Sequence, residues 1–232
     1  MRHLFMLISL LVVCGTVVAQ EPQATTPADD NPVQAVNDDD GGRAFIISTR
    51  NFKRLVKLRR LSGPSIAEPE QYSIFLGSQW STPQLRGREP KLSNLLSSIR
   101  SQAQTEQLSS YGIANCFAPT ISQEVLTSFD NDETLSDIRT RAVIAELINT
   151  GSLPRTSAST IYVIFLEPGL GSTLGTLTGR KHYLAYHHFF NISGQRLHYV
   201  VVPYESNLET AQAIALRAFV AAALNPSGEV GN

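Results

Sequence analysis

Cysteine is nearly absent: the 232 residues contain two, Cys14 and Cys116, beside a single tryptophan and two methionines. Cys14 falls in a segment expected to be removed, so Cys116 would stand alone in the mature chain with no partner for an internal disulfide. It reads as a small buried hydrophobe within Ile113-Ala114-Asn115-Cys116-Phe117 rather than a reactive thiol. No apolar run reaches the roughly 20 residues a bilayer span needs, so no transmembrane segment is expected. Strong charge of one sign is missing as well. Nineteen bases face 20 acids for a net charge of −1, and nothing in that balance calls for nucleic acid as a partner. Two ligand motifs fail for want of their defining residues. Asp130-Asn131-Asp132-Glu133 lacks the alternate spacing, glycine and distal glutamate of a calcium loop, and reads as a helix start. The glycines between 167 and 179 are not followed by Gly-Lys-Ser/Thr, so a long flexible connection is expected there instead of a phosphate loop.

What is present begins with the layout of a secretory signal peptide. Met1-Arg2-His3 is basic, residues 4–13 are largely apolar, and Val17-Val18-Ala19 supplies small residues ahead of Gln20. Cleavage is expected after Ala19, which makes the chain secreted or periplasmic. Lipidation at Cys14 is the weaker alternative, because Val13 is bulkier than the residue such sites usually carry. Residues 20–42 are rich in Pro, Ala, Thr, Gln and Asp, a composition that buries no core and reads as a disordered acidic linker. Residues 1–42 hold one base and six acids, leaving 18 bases against 14 acids, a net +4 for a single domain spanning 43–232.

The most polarised stretch is 43–60. It carries Arg43, Arg50, Lys53, Arg54, Lys57, Arg59 and Arg60 with no acid, interleaved with apolar residues. Phe45-Ile46-Ile47 reads as a strand, and Phe52, Leu55 and Val56 share one face at helical spacing. The segment reads as a solvated face balanced by the nearby Asp38-Asp39-Asp40 run. The alternative is an anionic-surface binder of polymer or membrane.

Further along, 71–76 is strand-like and closes at Gly77, and the following loop carries Trp80, a candidate site rim that reads more readily as a core or loop anchor. Residues 91–111 have helical spacing, as do 134–150 with Gly151 as the stop. Residues 160–166 are almost wholly apolar and β-branched or aromatic, the pattern of a central strand buried on both faces. His182, His187 and His188 lie on one extended run and His198 on the next, joined by a hairpin at 191–195. On extended backbone His182 and His188 share a face and His187 points away, so the histidines make a weak metal signal. Ser206 or Asn207 caps a final, mostly apolar helix over 208–224. Alternating strands and helices give an α/β fold, a three-layer domain with a mixed β-sheet.

Several of these segments, in order, resemble the phosphate-induced, EXORDIUM-like proteins of plants and their secreted bacterial relatives. They are Ile74-Phe75-Leu76-Gly77-Ser78-Gln79-Trp80, Leu108-Ser109-Ser110-Tyr111-Gly112-Ile113, Ile161-Tyr162-Val163-Ile164-Phe165, Tyr186-His187, His198-Tyr199-Val200-Val201-Val202-Pro203, and the helix running to Pro226. The resemblance implies a zincin-like scaffold. It also implies a metal-site helix, where bacterial relatives look like Ala-Ser-His-Glu-Leu-Ala-Glu-Ala. This chain reads Ala215-Leu216-Arg217-Ala218-Phe219-Val220-Ala221-Ala222, with Arg217 at the histidine position and Ala218 and Ala221 at the two glutamate positions. Arginine is a fixed cation and alanine has no donor, so neither metal ligand nor general base is supplied. Glu229 resembles a remnant of a Gly-Glu-Ile-Gly-Asp-like motif. The expectation is an exported pseudoenzyme with no cofactor, binding or structural at the cell envelope, its partner a cell-envelope or extracellular polymer. The alternative is a metal-dependent hydrolase whose site is rebuilt from His182, His187, His188 and His198 with Glu167 or Glu205.

Overall fold

The computed structural model describes residues 33–37, 43–49, 65–98, 106, 108–113, 121–125, 129, 133–153 and 157–226. Strands β1 (Val33–Asn37), β2 (Arg43–Ser48), β3 (Glu70–Leu76), β4 (Ile121–Val125), β6 (Thr160–Leu166), β9 (Tyr183–Ile192) and β10 (Gln195–Val202) form one seven-stranded sheet. Its order is β1-β2-β9-β10-β6-β3-β4. The half from β10 to β4 is parallel and the half from β1 to β10 is antiparallel, so the sheet is mixed. β6 lies near the middle and is buried along its whole length, as its unbroken apolar run requires. A second, three-stranded sheet joins β5 (Thr134–Ser136), β7 (Gly171–Leu174) and β8 (Leu177–Thr178).

Each face of the large sheet carries its own core. On one face Phe75, Val163, Phe165, Val200 and Val202 meet the short helices α1 (Pro83–Arg86) and α2 (Glu89–Leu92) and the long helix α4 (Leu208–Leu224). On the other, Ile74, Tyr162, Ile164 and Tyr199 meet α3 (Asp137–Asn149) and the small sheet. Helices and a hairpin therefore flank the sheet, the three-layer α/β arrangement expected from the sequence. α4 begins where Asn207 Oδ1 accepts from the Thr210 N–H at 2.8 Å, and α3 where Ser136 Oγ accepts from the Arg139 N–H at 3.2 Å.

Four local expectations are corrected. Val33–Asn37, inside the expected linker, pairs antiparallel with β2, giving that otherwise bare edge a backbone ladder. The expected helix over 91–111 is broken: α2 stops at Leu92, and Leu96–Ser98 is a separate 3-10 turn. Asn94 Oδ1 accepts from the Ser97 N–H at 3.2 Å, the local side-chain bond that lets asparagine compete with helix. The expected flexible stretch 167–179 contains β7 and β8, which pair with each other, and β7 also pairs with β5, where Gly171 leaves the room that Thr134 occupies: a Cβ there would stand 3.1 Å from Thr134 Oγ1. Finally, Thr134–Ser136 is a strand that precedes the helix start.

A crevice at the carboxyl ends of the parallel strands as candidate functional site

β3 and β6 are parallel neighbours whose chains leave in opposite directions. Beyond Gly77 the chain turns into α1 and α2 on the α4 side, whereas beyond Glu167 it enters β7 on the other. Such a divergence opens a crevice outside the carboxyl ends, the usual place for a ligand in an open α/β sheet.

Gly77 makes the turn possible. Its φ is +125°, and a Cβ there would lie 2.1 Å from Glu167 Cδ, so the missing side chain is the space the Glu167 carboxylate fills. Glu167 is buried, and its Oε2 accepts from the Gln79 N–H at 2.6 Å while Gln79 Nε2 donates to the Pro168 carbonyl at 2.8 Å. The two strand exits are thereby laced together.

The 3-10 turn Ser78–Ser81 brings Trp80 down onto Phe75, ring centroids 4.8 Å apart, and leaves it 1% exposed. Trp80 is thus a buried anchor that lines the crevice from within and offers no ring face to solvent. The α1–α2 junction delivers Arg88, which donates to Tyr204 Oη at 2.9 Å and to the Glu205 and Ser206 carbonyls at 2.5 and 3.2 Å. The Arg88 guanidinium also lies 5.1 Å from the Tyr204 ring centroid. Every one of these partners is neutral. Glu205 is committed elsewhere, to Arg180 at 2.5 Å and to the Asn207 N–H at 3.0 Å. Partial burial pushes its pKa up, but the Asn207 N–H and the Arg180 guanidinium outweigh that and hold it below the ordinary carboxylate value.

The crevice is narrow, with room for little more than a water molecule, and is lined by Trp80, Arg88, Leu92, Phe165, Val202, Tyr204 and Glu205 among others. Two donors at its wall, Trp80 Nε1 and Arg88 Nε, are buried without a hydrogen-bond partner. Of these residues the sequence points to Trp80 and Glu205 and not to Arg88 or Tyr204, the available signal being Arg88 within the turn-rich Gly87-Arg88-Glu89-Pro90 after a strand.

The histidines do not converge. His182 lies ahead of β9, in a turn, where its Nδ1 accepts from the Thr178 N–H at 2.9 Å, so it does not share an extended face with His188. His187 faces the α4 side of the sheet, stacked on Phe45 at 4.9 Å and 9°, and its Nε2 is buried without a partner. Burial, reinforced by the His188 and His198 imidazoles, pushes its pKa down to about 3. His198, also buried, is pushed down to about 4 by burial and by Arg196. His188 lies on the opposite face, stacked against Tyr199 at 6.0 Å. Among the described residues no group of three or more His, Cys, Asp or Glu is arranged to hold a metal ion.

The family-type helix positions are equally unsuited to a metal. Ala218 and Ala221 are 0% and 1% exposed and packed in the core between α4 and the sheet, where they offer only methyl groups. Arg217 is half-buried, its pKa lowered by burial. The residues present therefore do not fit the zinc that the resemblance implies.

On the other face, Asp137 is fully buried and accepts from Tyr199 Oη at 2.5 Å and from Arg141 Nη2 at 2.5 Å, joining α3 to β10. From the sequence Asp137 is legible only as part of a helix start. Arg50, Lys53, Arg54, Lys57, Arg59, Arg60, Cys116 and Glu229, with the expected signal peptide, lie outside the described residues. No helix among the described residues is long and apolar enough to cross a membrane. No protein-family model, curated protein or solved structure matches the chain.

Proposed function

We propose that this chain is an exported, non-catalytic binding domain of the cell envelope, a pseudoenzyme on a zincin-like scaffold of the phosphate-induced, EXORDIUM-like kind. The observation that carries this reading is the packing of α4. Ala218 and Ala221 stand where the resembled family carries its carboxylates, and both are closed into the core against the sheet. A zinc hydrolase needs three protein donors and a carboxylate to take the proton of bound water. Arg217 would place a cation beside the metal: at roughly 4 Å and an effective dielectric near 20, a +1/+2 contact costs on the order of 8 kcal/mol before screening. The rebuilt histidine site has less support, since His187 and His188 are on opposite faces and both candidate carboxylates, Glu167 and Glu205, are already bonded.

The test is elemental analysis of chain purified without chelator, together with a peptidase assay in added zinc. The expected result is far less than one zinc per chain and no zinc-dependent cleavage. About one zinc per chain, lost on His187→Ala or His182→Ala, would establish the hydrolase instead.

A further inference from the structure

The α1–α2 junction is tied to both ends of the parallel half of the sheet, and one of the two ties carries more carboxyl groups than cations. On one side Arg88 reaches the 204–206 turn that follows β10. On the other, Arg86 forks onto Glu124 of β4, Nε to Oε1 and Nη2 to Oε2, both at 3.2 Å. β4 is the edge strand and pairs with β3 alone among the described strands. Its carboxyl end is fastened by this fork and by the Gly77 N–H, which donates to the Val125 carbonyl at 3.0 Å. A second carboxyl stands beside the first. Glu89, which opens α2, lies within hydrogen-bond reach of Glu124, and its Oε1 is buried without a partner. One guanidinium therefore serves two carboxyl groups, and a pair so placed resists ionising together: one keeps a proton and donates it to the other.

We propose that Arg86, Glu124 and Glu89 form a proton-operated clasp, which holds β4 to the α1–α2 junction in acid and lets it go as the medium passes neutrality. With Glu89 protonated the triad has no net charge, and the Glu89 O–H donates to a Glu124 carboxylate that also accepts from Arg86. Loss of that proton sets one cation against two carboxylates and leaves an ionised oxygen buried with no donor. The ionised group is better solvated in water, so the start of α2 moves off β4. The charged groups that face Glu89 from the neighbouring described elements are Glu124 on β4 and Arg86 on α1. Burial first, then the Glu124 charge, push the Glu89 pKa up from 4.5 to about 7, with Arg86 pulling the other way. Closing the clasp therefore takes up a proton: the hold is full below 4.5 and is lost as pH rises through about 7. It operates whether or not the chain binds zinc.

The test follows the side-chain carboxyl carbons of glutamate-labelled chain by NMR, and the amide exchange of Ile121–Val125, in the wild type and in Glu89→Gln. The glutamine amide keeps a donor toward Glu124 at every pH. The Glu89 carbon, assigned through the backbone, should titrate near neutrality. Between about pH 6 and about pH 8 the protection of the β4 amides should fall about three- to tenfold relative to Glu89→Gln, one proton setting the upper bound and solvent screening the lower. His187 and His198 contribute equally to both chains and cancel in the ratio. In Glu124→Gln the Glu89 carbon should titrate back toward the ordinary carboxylate range, which decides the matter should Glu89→Gln fail to fold. A Glu89 carbon titrating in that ordinary range in the wild type, one unmoved by Glu124→Gln, or a β4 protection ratio constant across the interval would overturn the proposal.

Discussion

At the residue scale the structure rests on a few positions whose chemistry leaves no slack. Gly77 is one: its positive φ and the Glu167 carboxylate pressed into the space of its missing Cβ make Gly77→Ala costly twice over. Strain and overpacking together should lower stability by about 2–4 kcal/mol, read from the midpoint of chemical denaturation. His187 is another. The unfolded chain takes up a proton as pH falls through 6.5, whereas the folded chain, with its His187 pKa near 3, does not. Stability is therefore full above that point and lost as pH falls, at about 1.4 kcal/mol per unit for each such histidine. His198 acts in the same direction down to about 4. Denaturation series from about pH 6 down to about pH 4 should show the slope lowered by about 1.4 kcal/mol per pH unit in His187→Phe, which keeps the ring stacked on Phe45 and removes the proton site. An unchanged slope would mean that His187 is protonated in the fold. Neither feature was legible beforehand. Sequence alternation placed His187 and His188 on opposite faces, but could not show that α4 seals one and that Glu167 occupies the space beside Gly77.

At the element scale the legible parts are those whose burial is uniform. β6 announced itself by an unbroken apolar run, and α4 by a cap followed by alanine and large aliphatics, because an element buried on most sides has little polarity to disguise it. β7, β8 and β5 were hidden because glycine, threonine and serine make strands only through their pairing, which is not local. The helix expected over 91–111 had the right period and the wrong continuity, with Ser93-Asn94 interrupting it. Two element-level joints can be measured. Asn207→Ala removes the α4 cap and should cost about 1 kcal/mol. Asp137→Asn breaks the tie between α3 and β10, leaving the Arg141 cation beside Tyr199 without its carboxylate, and should cost about 3–5 kcal/mol. Combined with Tyr199→Phe, the double variant should lose clearly less than the two single losses added, since both remove parts of one network. Strict additivity would show that the network is a set of independent contacts.

At the scale of the whole molecule, the chain is a mixed sheet covered on both faces, whose crevice is walled by two unpartnered donors and whose helix α4 contributes packing. The three-layer α/β architecture could be read from the order of strands and helices. The crevice could not, because Trp80, Arg88 and Tyr204 come from segments that meet only once β3, β6 and β10 are aligned. The reading of a non-catalytic domain turns on α4 and on the scattered histidines. Its most direct test is the melting temperature of the same preparation with equimolar zinc and with excess chelator, because any metal bound by the fold alone must raise it. The account predicts coincident transitions. A rise of several degrees with zinc, reversed by chelator and absent from His187→Phe, would contradict it.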